Sequence, residues 1–346
     1  MKSLKSLTQK PLNYREVLLI MLRSCWRGSD CQLIGKHQEL GTMLKLFLAL
    51  HLKVRISKAT VFLLLRLKTL GSVIRIYQQL IELEADRSVF LVGIGGGIVC
   101  DVTGFAASTY LRGVDFGYVP TTLLAQVDAS VGGKTGVNFM GYKNMVGVFS
   151  QPEFVICDPF VLKTLPRKEL VSGFAEIVKH AAIADESYFT YLEQNADKAL
   201  ALDIDVLQQI IYDSVVIKSD IVNRDETEKG ERRKLNFGHT FGHAVEKTAG
   251  ITHGEAVSIG MTVASLLSMN KKLLTEKEVA RLRHLLTLFN LPAGIEADKA
   301  KMFDALARDK KREGDGVFFV LLSGIGQAVV EKITLAELEN VLQRMS

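Results

Sequence analysis

Residues 88 to 109 read SVFLVGIGGGIVCDVTGFAAST. Ser88 to Ile94 is a short apolar run bounded by polar residues and glycine, the pattern of a strand buried on both faces. It empties into Gly95-Gly96-Gly97, and Ile98 to Thr109 then reads as a helix. A strand that opens through glycine into a helix is one step of a parallel α/β layer. The step recurs on either side. Leu70 to Leu83 precedes it as an amphipathic helix with apolar residues at three- and four-residue spacing. Phe116 to Val119 follows as a second strand, leading through Pro120-Thr121-Thr122 to a further helix start. Phe154 to Cys157 is a third strand, followed by Asp158-Pro159. Strands alternating with helices predict a parallel sheet with flanking helices.

Beyond about Pro166 the pattern becomes helical. Lys168–Asn195, Ala199–Arg224, Asn236–Thr248, Glu255–Asn270, Glu276–Phe289 and Ala297–Arg308 carry helical periodicity. Val317–Leu322 and Gln327–Glu331 read as a small hairpin around Ser323–Gly326. The expected organisation is an α/β domain over 1–163 and a mostly α-helical domain over 164–346. Residues 1–66, rich in Leu, Lys and Arg and holding the only tryptophan, Trp26, show no clear strand–turn–helix alternation.

A chain of 346 residues can bury a sizeable core. Its net charge of +5 is spread along the sequence, which argues against nucleic-acid binding and suits a phosphorylated or carboxylated small substrate. Cys25, Cys31, Cys100 and Cys157 have neither metal-ligand spacing nor a secreted disulfide pattern, so a reducing cytoplasm is expected. The apolar runs Leu44–Leu52 and Val61–Leu65 are too short to span a bilayer, and the N-terminus lacks a signal-peptide layout.

Four groups of residues carry chemistry. The glycine run between strand and helix lets backbone N–H groups approach a pyrophosphate at a helix N-terminus. It is not the Rossmann fingerprint, since Ile98 stands where the last glycine belongs. Asp101, one turn on, is either a ribose contact or a first-turn charge. The stretch LLAQVDASVGGKTGVNFMGYKN, Leu123 to Asn144, holds Gly132-Gly133-Lys134-Thr135, but Val127 stands where a phosphate loop needs its first glycine. Lys134 can still meet a phosphate as a point charge. In GFAEIVKH, Gly173 to His180, Glu176 lies among apolar residues with Lys179 three and His180 four positions on. A carboxylate on an apolar face needs a partner, and either Lys179 or a metal supplies it.

The fourth group is NFGHTFGHAVEKTAGITHGE, Asn236 to Glu255, with three of the seven histidines: His239, His243 and His253. His239 and His243 project from one helical face, the spacing that lets two imidazoles share a metal. Gly238 and Gly242 keep that face open to a ligand or to another backbone. Glu176, His239 and His253 would make a carboxylate–histidine–histidine set suited to zinc with an open position. Lys218, Arg232, Asn236 and, downstream, Lys310 and Lys311 add the groups that an anion on such a metal would need.

Taken together, GGGIVCDVTGFAASTYLRGVDFGYVPTTLLAQVDASVGGKTGVN, SGFAEIVKH, NFGHTFGHAVE and HGEAVSIGM resemble the 3-dehydroquinate synthases of the sugar phosphate cyclase family, over roughly Leu67 to the C-terminus. The resemblance implies a carbon–oxygen lyase acting on phosphates, dependent on NAD and on zinc or cobalt. It would convert 3-deoxy-D-arabino-heptulosonate 7-phosphate to 3-dehydroquinate and phosphate in the shikimate pathway. By motif match, Glu176, His239 and His253 are the metal ligands, and His243 moves to the substrate phosphate. Lys134, Lys179, Lys218, Arg232 and Asn236 take catalytic or substrate-binding positions, with Asn144 and one of Lys310 and Lys311. Gly96, Gly97, Ile98, Asp101, Thr121, Thr122, Asp128, Lys134, Lys143, Thr164 and Glu169 fall on the NAD side. Arg112 matches a residue that reaches the neighbouring subunit's phosphate site, which implies a homodimer.

Residues 1–65 depart from the resemblance: Leu63 and Arg66 stand where the family carries a glutamate and a lysine near the adenine ribose. Translation from a shifted reading frame would produce such a stretch, and it predicts a weakened hold on NAD. The rival readings are another sugar phosphate cyclase, a metal-dependent alcohol dehydrogenase of the same general fold, and a cofactor-impaired homologue.

Overall fold

A computed structural model describes residues 13–22, 55–64, 67–228, 230–294, 312–313 and 316–344. The chain divides into two compact units, Met1–Leu165 and Pro166–Ser346.

The first unit is built on a five-stranded parallel sheet of order β2-β1-β3-β4-β7. The strands are β1 (Asn13–Leu22), β2 (Arg55–Leu64), β3 (Val89–Gly95), β4 (Asp115–Pro120) and β7 (Phe154–Val155). All seven residues of β3 are buried, as its unbroken apolar run requires. Two helices follow the expected pattern, α1 (Leu70–Glu82) and α2 (Gly97–Thr109). Two strands, β1 and β2, lie within residues 1–66, where the sequence shows no clear strand–turn–helix alternation. Val17 to Leu22 and Val61 to Leu65 are unbroken apolar runs, and periodicity cannot separate such a run in a parallel strand from a helix segment.

Helix α2 is apolar on nearly every side, with eight of its thirteen residues buried, because most of its surface is covered. A Cβ at Gly104 would overlap Tyr118 Oη and Thr135. That close packing brings the helix against an antiparallel hairpin, β5 (Lys134–Phe139) and β6 (Tyr142–Phe149). The Leu123–Asn144 stretch thus holds a helical turn, strand β5, the Met140-Gly141 turn and the start of β6. Its turn residues Met140 and Gly141 both have positive φ, 48° and 81°. Tight hairpins favour Asn-Gly or Asp-Gly there, so Met-Gly gives a weak hairpin signal.

The second unit is helical, with α3 (Arg167–Ala184), α4 (Glu186–Leu200), α5 (Ile204–Arg224), α6 (His239–Ala249), α7 (His253–Asn270), α8 (Glu276–Leu288) and α9 (Leu335–Arg344). A small antiparallel sheet, β8 (Arg312–Glu313), β9 (Gly316–Gly324) and β10 (Gln327–Thr334), completes it in the order β10-β9-β8. The stretch read as one helix over Lys168–Asn195 is two, because Asp185 is extended and its carboxylate accepts the Tyr188 N–H at 2.9 Å. Asp203 starts α5 in the same way, accepting the Val206 N–H at 3.1 Å. An aspartate cap of this kind stabilises a helix start by about 1 kcal/mol and outweighs continuous periodicity. The helix expected at Ala297–Arg308 lies outside the described residues. Among the described residues no helix is long and apolar enough to cross a membrane.

The core around α6 and α7 includes Phe241, Val245, Ile259, Val263, Phe319 and Leu321. Burying each such side chain contributes about 1.5–3 kcal/mol. The two helices cross with their backbones in contact. A Cβ on Gly242 would lie 2.8 Å from the Ala256 carbonyl oxygen, and one on Gly260 would overlap the Gly238 carbonyl. The glycines flanking His239 therefore admit another backbone, not a ligand.

Candidate metal centre and anion site

Glu176 lies in the middle of α3, fully buried. His239 is the first residue of α6 and His253 the first of α7. Their placement follows from the local sequence. Gly238 takes a left-handed conformation, φ 79°, and turns the chain into α6. Thr252 and Glu255 form a reciprocal capping box at the start of α7. Gly254 then brings that helix end onto the α3 backbone at Ser172, whose hydroxyl accepts the Gly254 N–H at 3.0 Å. Two helix N-termini thus converge on one buried carboxylate, and their dipoles favour its charge.

Both imidazoles address the same oxygen. His253 Nε2 is 2.9 Å and His239 Nε2 3.3 Å from Glu176 Oε1, and Lys179 Nζ pairs with Oε2. Burial alone would raise the Glu176 carboxyl, but the Lys179 ammonium and the two imidazoles hold it well below the usual carboxylate range. Of the outer ring nitrogens, one has a hydrogen-bond acceptor and the other only a more distant carboxylate. His239 Nδ1 is 3.2 Å from the Phe237 carbonyl, and His253 Nδ1 is 3.9 Å from Glu246 Oε2. A carbonyl only accepts, so His239 Nδ1 carries a proton. As an imidazolium the ring also donates from Nε2 to the carboxylate; as a neutral ring it turns a lone pair to that oxygen, and two electron pairs that close in a buried site repel. A cation between them removes the conflict, and one carboxylate with two oriented imidazoles is the donor set of a three-ligand zinc site. The donor atoms of Glu176, His239 and His253 lie within 4.8 Å of one another, so the residues fit such an ion.

Around this cluster the unit buries an excess of cationic side chains. Lys179 and Arg232 are each 2 % exposed and Lys218 is 6 % exposed. The Arg232 guanidinium donates to the Glu226 carbonyl at 2.6 Å. Asn236 donates to Glu228 Oε1 at 2.8 Å. The His243 ring stands edge-on to His239, with centroids 5.4 Å apart. Glu169 lies in the exposed first turn of α3. Lys310 and Lys311 lie outside the described residues.

In the α/β unit, Gly96 caps α2, Gly97 begins it, and no side chain caps its first turn, the arrangement that leaves N–H groups for an anion. Ile98 is exposed beside them. Gly95 serves packing instead, since a Cβ there would overlap Val99. Thr121 donates its N–H to the Gly95 carbonyl at 2.9 Å, and the Thr122 hydroxyl accepts the Ala125 N–H at 3.1 Å. Asp128 lies in the π-turn Ala125–Ala129, and Thr164 ends the 3-10 turn Pro159–Thr164. Lys134 and Lys143 are exposed on the hairpin. Asp101 and Asn144 are bridged by the ammonium group of Lys68, a residue that no sequence motif singles out. Leu111 and Arg112 carry consecutive positive φ angles, 48° and 67°, and expose the Arg112 side chain.

Glu246 closes the stretch NFGHTFGHAVE, but motif reading gives it no role; it lies seven positions before His253, and the turn between α6 and α7 brings the two together.

An α/β unit followed by a helical unit bearing this buried donor set defines the dehydroquinate synthase-like class of enzymes. A solved 2-epi-5-epi-valiolone synthase from Streptomyces hygroscopicus, with NAD+ and Zn2+ bound, has the same fold at a TM-score of 0.79 and 29% identity, covering 95% of this chain and 90% of that one. A 2-deoxy-scyllo-inosose synthase complexed with carbaglucose-6-phosphate, NAD+ and Co2+ is similar at 0.81 and 27% identity, over 97% and 93% of the two chains. The sequence matches the 3-dehydroquinate synthase N-terminal family over residues 65–172 and its C-terminal family over residues 173–312. A curated 3-dehydroquinate synthase from Acetivibrio thermocellus is 46% identical over 257 residues, 73% of this chain and 71% of that protein. The chain belongs to the 3-dehydroquinate synthase family.

Proposed function

We propose that this chain converts 3-deoxy-D-arabino-heptulosonate 7-phosphate to 3-dehydroquinate and phosphate. The observation that carries the reading is the buried Glu176–His239–His253 cluster with Lys179 against its carboxylate, in a chain of this family. Glu176, His239 and His253 would hold a zinc or cobalt ion, which when bound polarises the substrate's oxygen atoms. The first turn of α2, with Gly96, Gly97 and Ile98, would hold the pyrophosphate of NAD, the transient hydride acceptor. This assigns the cofactor to the α/β unit and the metal and substrate to the helical one.

The chain's own residues then bind and orient. Lys179, Lys218 and Arg232 offer buried positive charge to a substrate carrying a carboxylate and a phosphate, and pairing relieves the cost of burying both. Asn236 and His243 orient the phosphate end. Lys179 also holds a proton at Nζ beside Glu176, at the edge of the cluster where a substrate hydroxyl would lie. Burial keeps water from reactive intermediates and strengthens each of these contacts. The exposed, strained Arg112 and the apolar outer residues of the hairpin, Phe139, Met140, Tyr142 and Met145, suit a homodimer in which Arg112 completes a neighbour's site. A cytoplasmic location accompanies this reading.

Phosphate release from the heptulosonate phosphate, measured with and without NAD and zinc, tests the proposal. Release that needs both and leaves NAD unchanged supports it; net reduction of NAD would identify an alcohol dehydrogenase instead. The structural likeness to other cyclases favours one second reading, a different sugar phosphate substrate, and turnover of hexose or sedoheptulose phosphates in its place would establish that reading.

A further inference from the structure

His180 follows Lys179 on α3, one turn beyond Glu176, and is fully buried. Its Nδ1 lies 2.6 Å from the hydroxyl of Ser214 on α5, also fully buried. The phenol of Tyr188, on α4, donates to the Ile210 carbonyl at 2.7 Å, one turn before Ser214 on α5. The Ile210 carbonyl only accepts, so the Tyr188 proton points to it. With Nδ1 of His180 as the donor, the Ser214 oxygen accepts and the hydroxyl keeps its own proton for a second partner.

This bond joins α3 to α5 next to the residues that matter. Ser214 and Lys218 are four apart on α5 and so share one face, one turn apart. His180 is adjacent to Lys179 and four residues from Glu176. The separation of His180 from Ser214 thus sets the place of Lys218 relative to the Glu176–Lys179 face. We propose that His180 is a positioning residue whose Nδ1–H bond to Ser214 holds α5 in register with α3, so that Lys179 and Lys218 engage one substrate. This rests on the reading of both lysines as substrate-binding groups.

Three variants of the zinc- and NAD-loaded enzyme test it. In His180→Asn the amide nitrogen stands near the place of Nδ1; in His180→Gln it stands near Nε2; Ser214→Ala removes the acceptor. Because small misplacements of binding groups cost up to about a hundredfold, His180→Gln and Ser214→Ala should lose about tenfold or more in kcat/KM, mainly through KM, with zinc content unchanged. His180→Asn should stay within about threefold of the parent enzyme. Equal impairment of the Asn and Gln variants, or an unimpaired Ser214→Ala, would overturn the assignment. Nitrogen NMR of the histidine-labelled parent protein provides a readout free of turnover. Protonation at His180 Nδ1 is expected, and protonation at Nε2 alone refutes the positioning bond. Should the parent enzyme release no phosphate from the heptulosonate phosphate, the functional reading falls, while the NMR result still decides the bond.

Discussion

The two units present their functional groups by opposite means. In the α/β unit the proposed cofactor site is made of backbone atoms: the first turn of α2 opens at Gly96 and Gly97, and side chains such as Val99 and Thr103 leave no room for a Cβ on Gly95 or Gly93. In the helical unit they belong to side chains that proteins seldom bury, namely Glu176, Lys179, His180, Lys218 and Arg232. A backbone site tolerates much variation in the side chains around it and fails by crowding. A buried-charge site fails when one member of the set is removed, because the remaining charges are left without compensation.

The sharpest test of this contrast is Glu176→Gln. It keeps the shape and removes the charge, so the Lys179 ammonium loses its counter-ion. Equilibrium denaturation should show a loss of about 3–5 kcal/mol. Elemental analysis should find bound zinc reduced to a small fraction, and phosphate release should fall by about 10²–10³-fold. A variant of full stability and full zinc content would break the comparison.

His243→Ala separates metal from substrate within the same cluster. Zinc content should stay near normal while kcat/KM falls by about tenfold to a hundredfold, the worth of a hydrogen bond to a charged group. Loss of the metal would move His243 into the ligand set.

On the backbone side, Gly95→Ala should destabilise by about 1–3 kcal/mol through overpacking against Val99, read by denaturant melting. Its bound zinc should be unchanged, which would keep the two kinds of site distinct.

The smallest expected effect concerns caps. A hydrogen bond from the Thr275 hydroxyl and backbone holds the Glu278 carboxyl below its ordinary value, and the Thr334 backbone N–H does the same for Glu337. A depressed carboxyl contributes stability that is fully present above the unfolded value near about 4.3 and is lost as pH falls through the folded value. Glu278→Gln should therefore lower the melting temperature by about 1 °C at neutral pH and by less below about pH 4. A difference that grows as pH falls would contradict the sign.

How far the sequence foretells this molecule differs by element. Helices with apolar stripes, such as α1 and α8, and the strand–glycine–helix step at β3 and α2 are legible because one period or one residue type decides them. The strands β1 and β2 are not, since an unbroken apolar run fits two kinds of element. The β5–β6 hairpin hides behind a Met140-Gly141 turn. In the site, Glu176 is conspicuous as a carboxylate among apolar neighbours. Spacing alone favours His239 with His243, whereas the structure brings His253 to the same Glu176 oxygen; that meeting depends on the α6–α7 crossing and on Gly254 against Ser172. Lys68 and Glu246 find their partners only through tertiary packing, so the sequence assigns neither of them a role.

The capping box at Thr252 and Glu255 has one further consequence. It fastens the start of α7 with that helix's own residues, and Gly254 moors it to α3, so the fold holds His253 in place by bonds in which no ion takes part. Many small metal-binding domains collapse when stripped and must refold around each new ion. Here the bonds that seat His253 are the protein's own, so chelation should leave the start of α7 folded, and equal far-ultraviolet circular dichroism of stripped and zinc-loaded protein would check it.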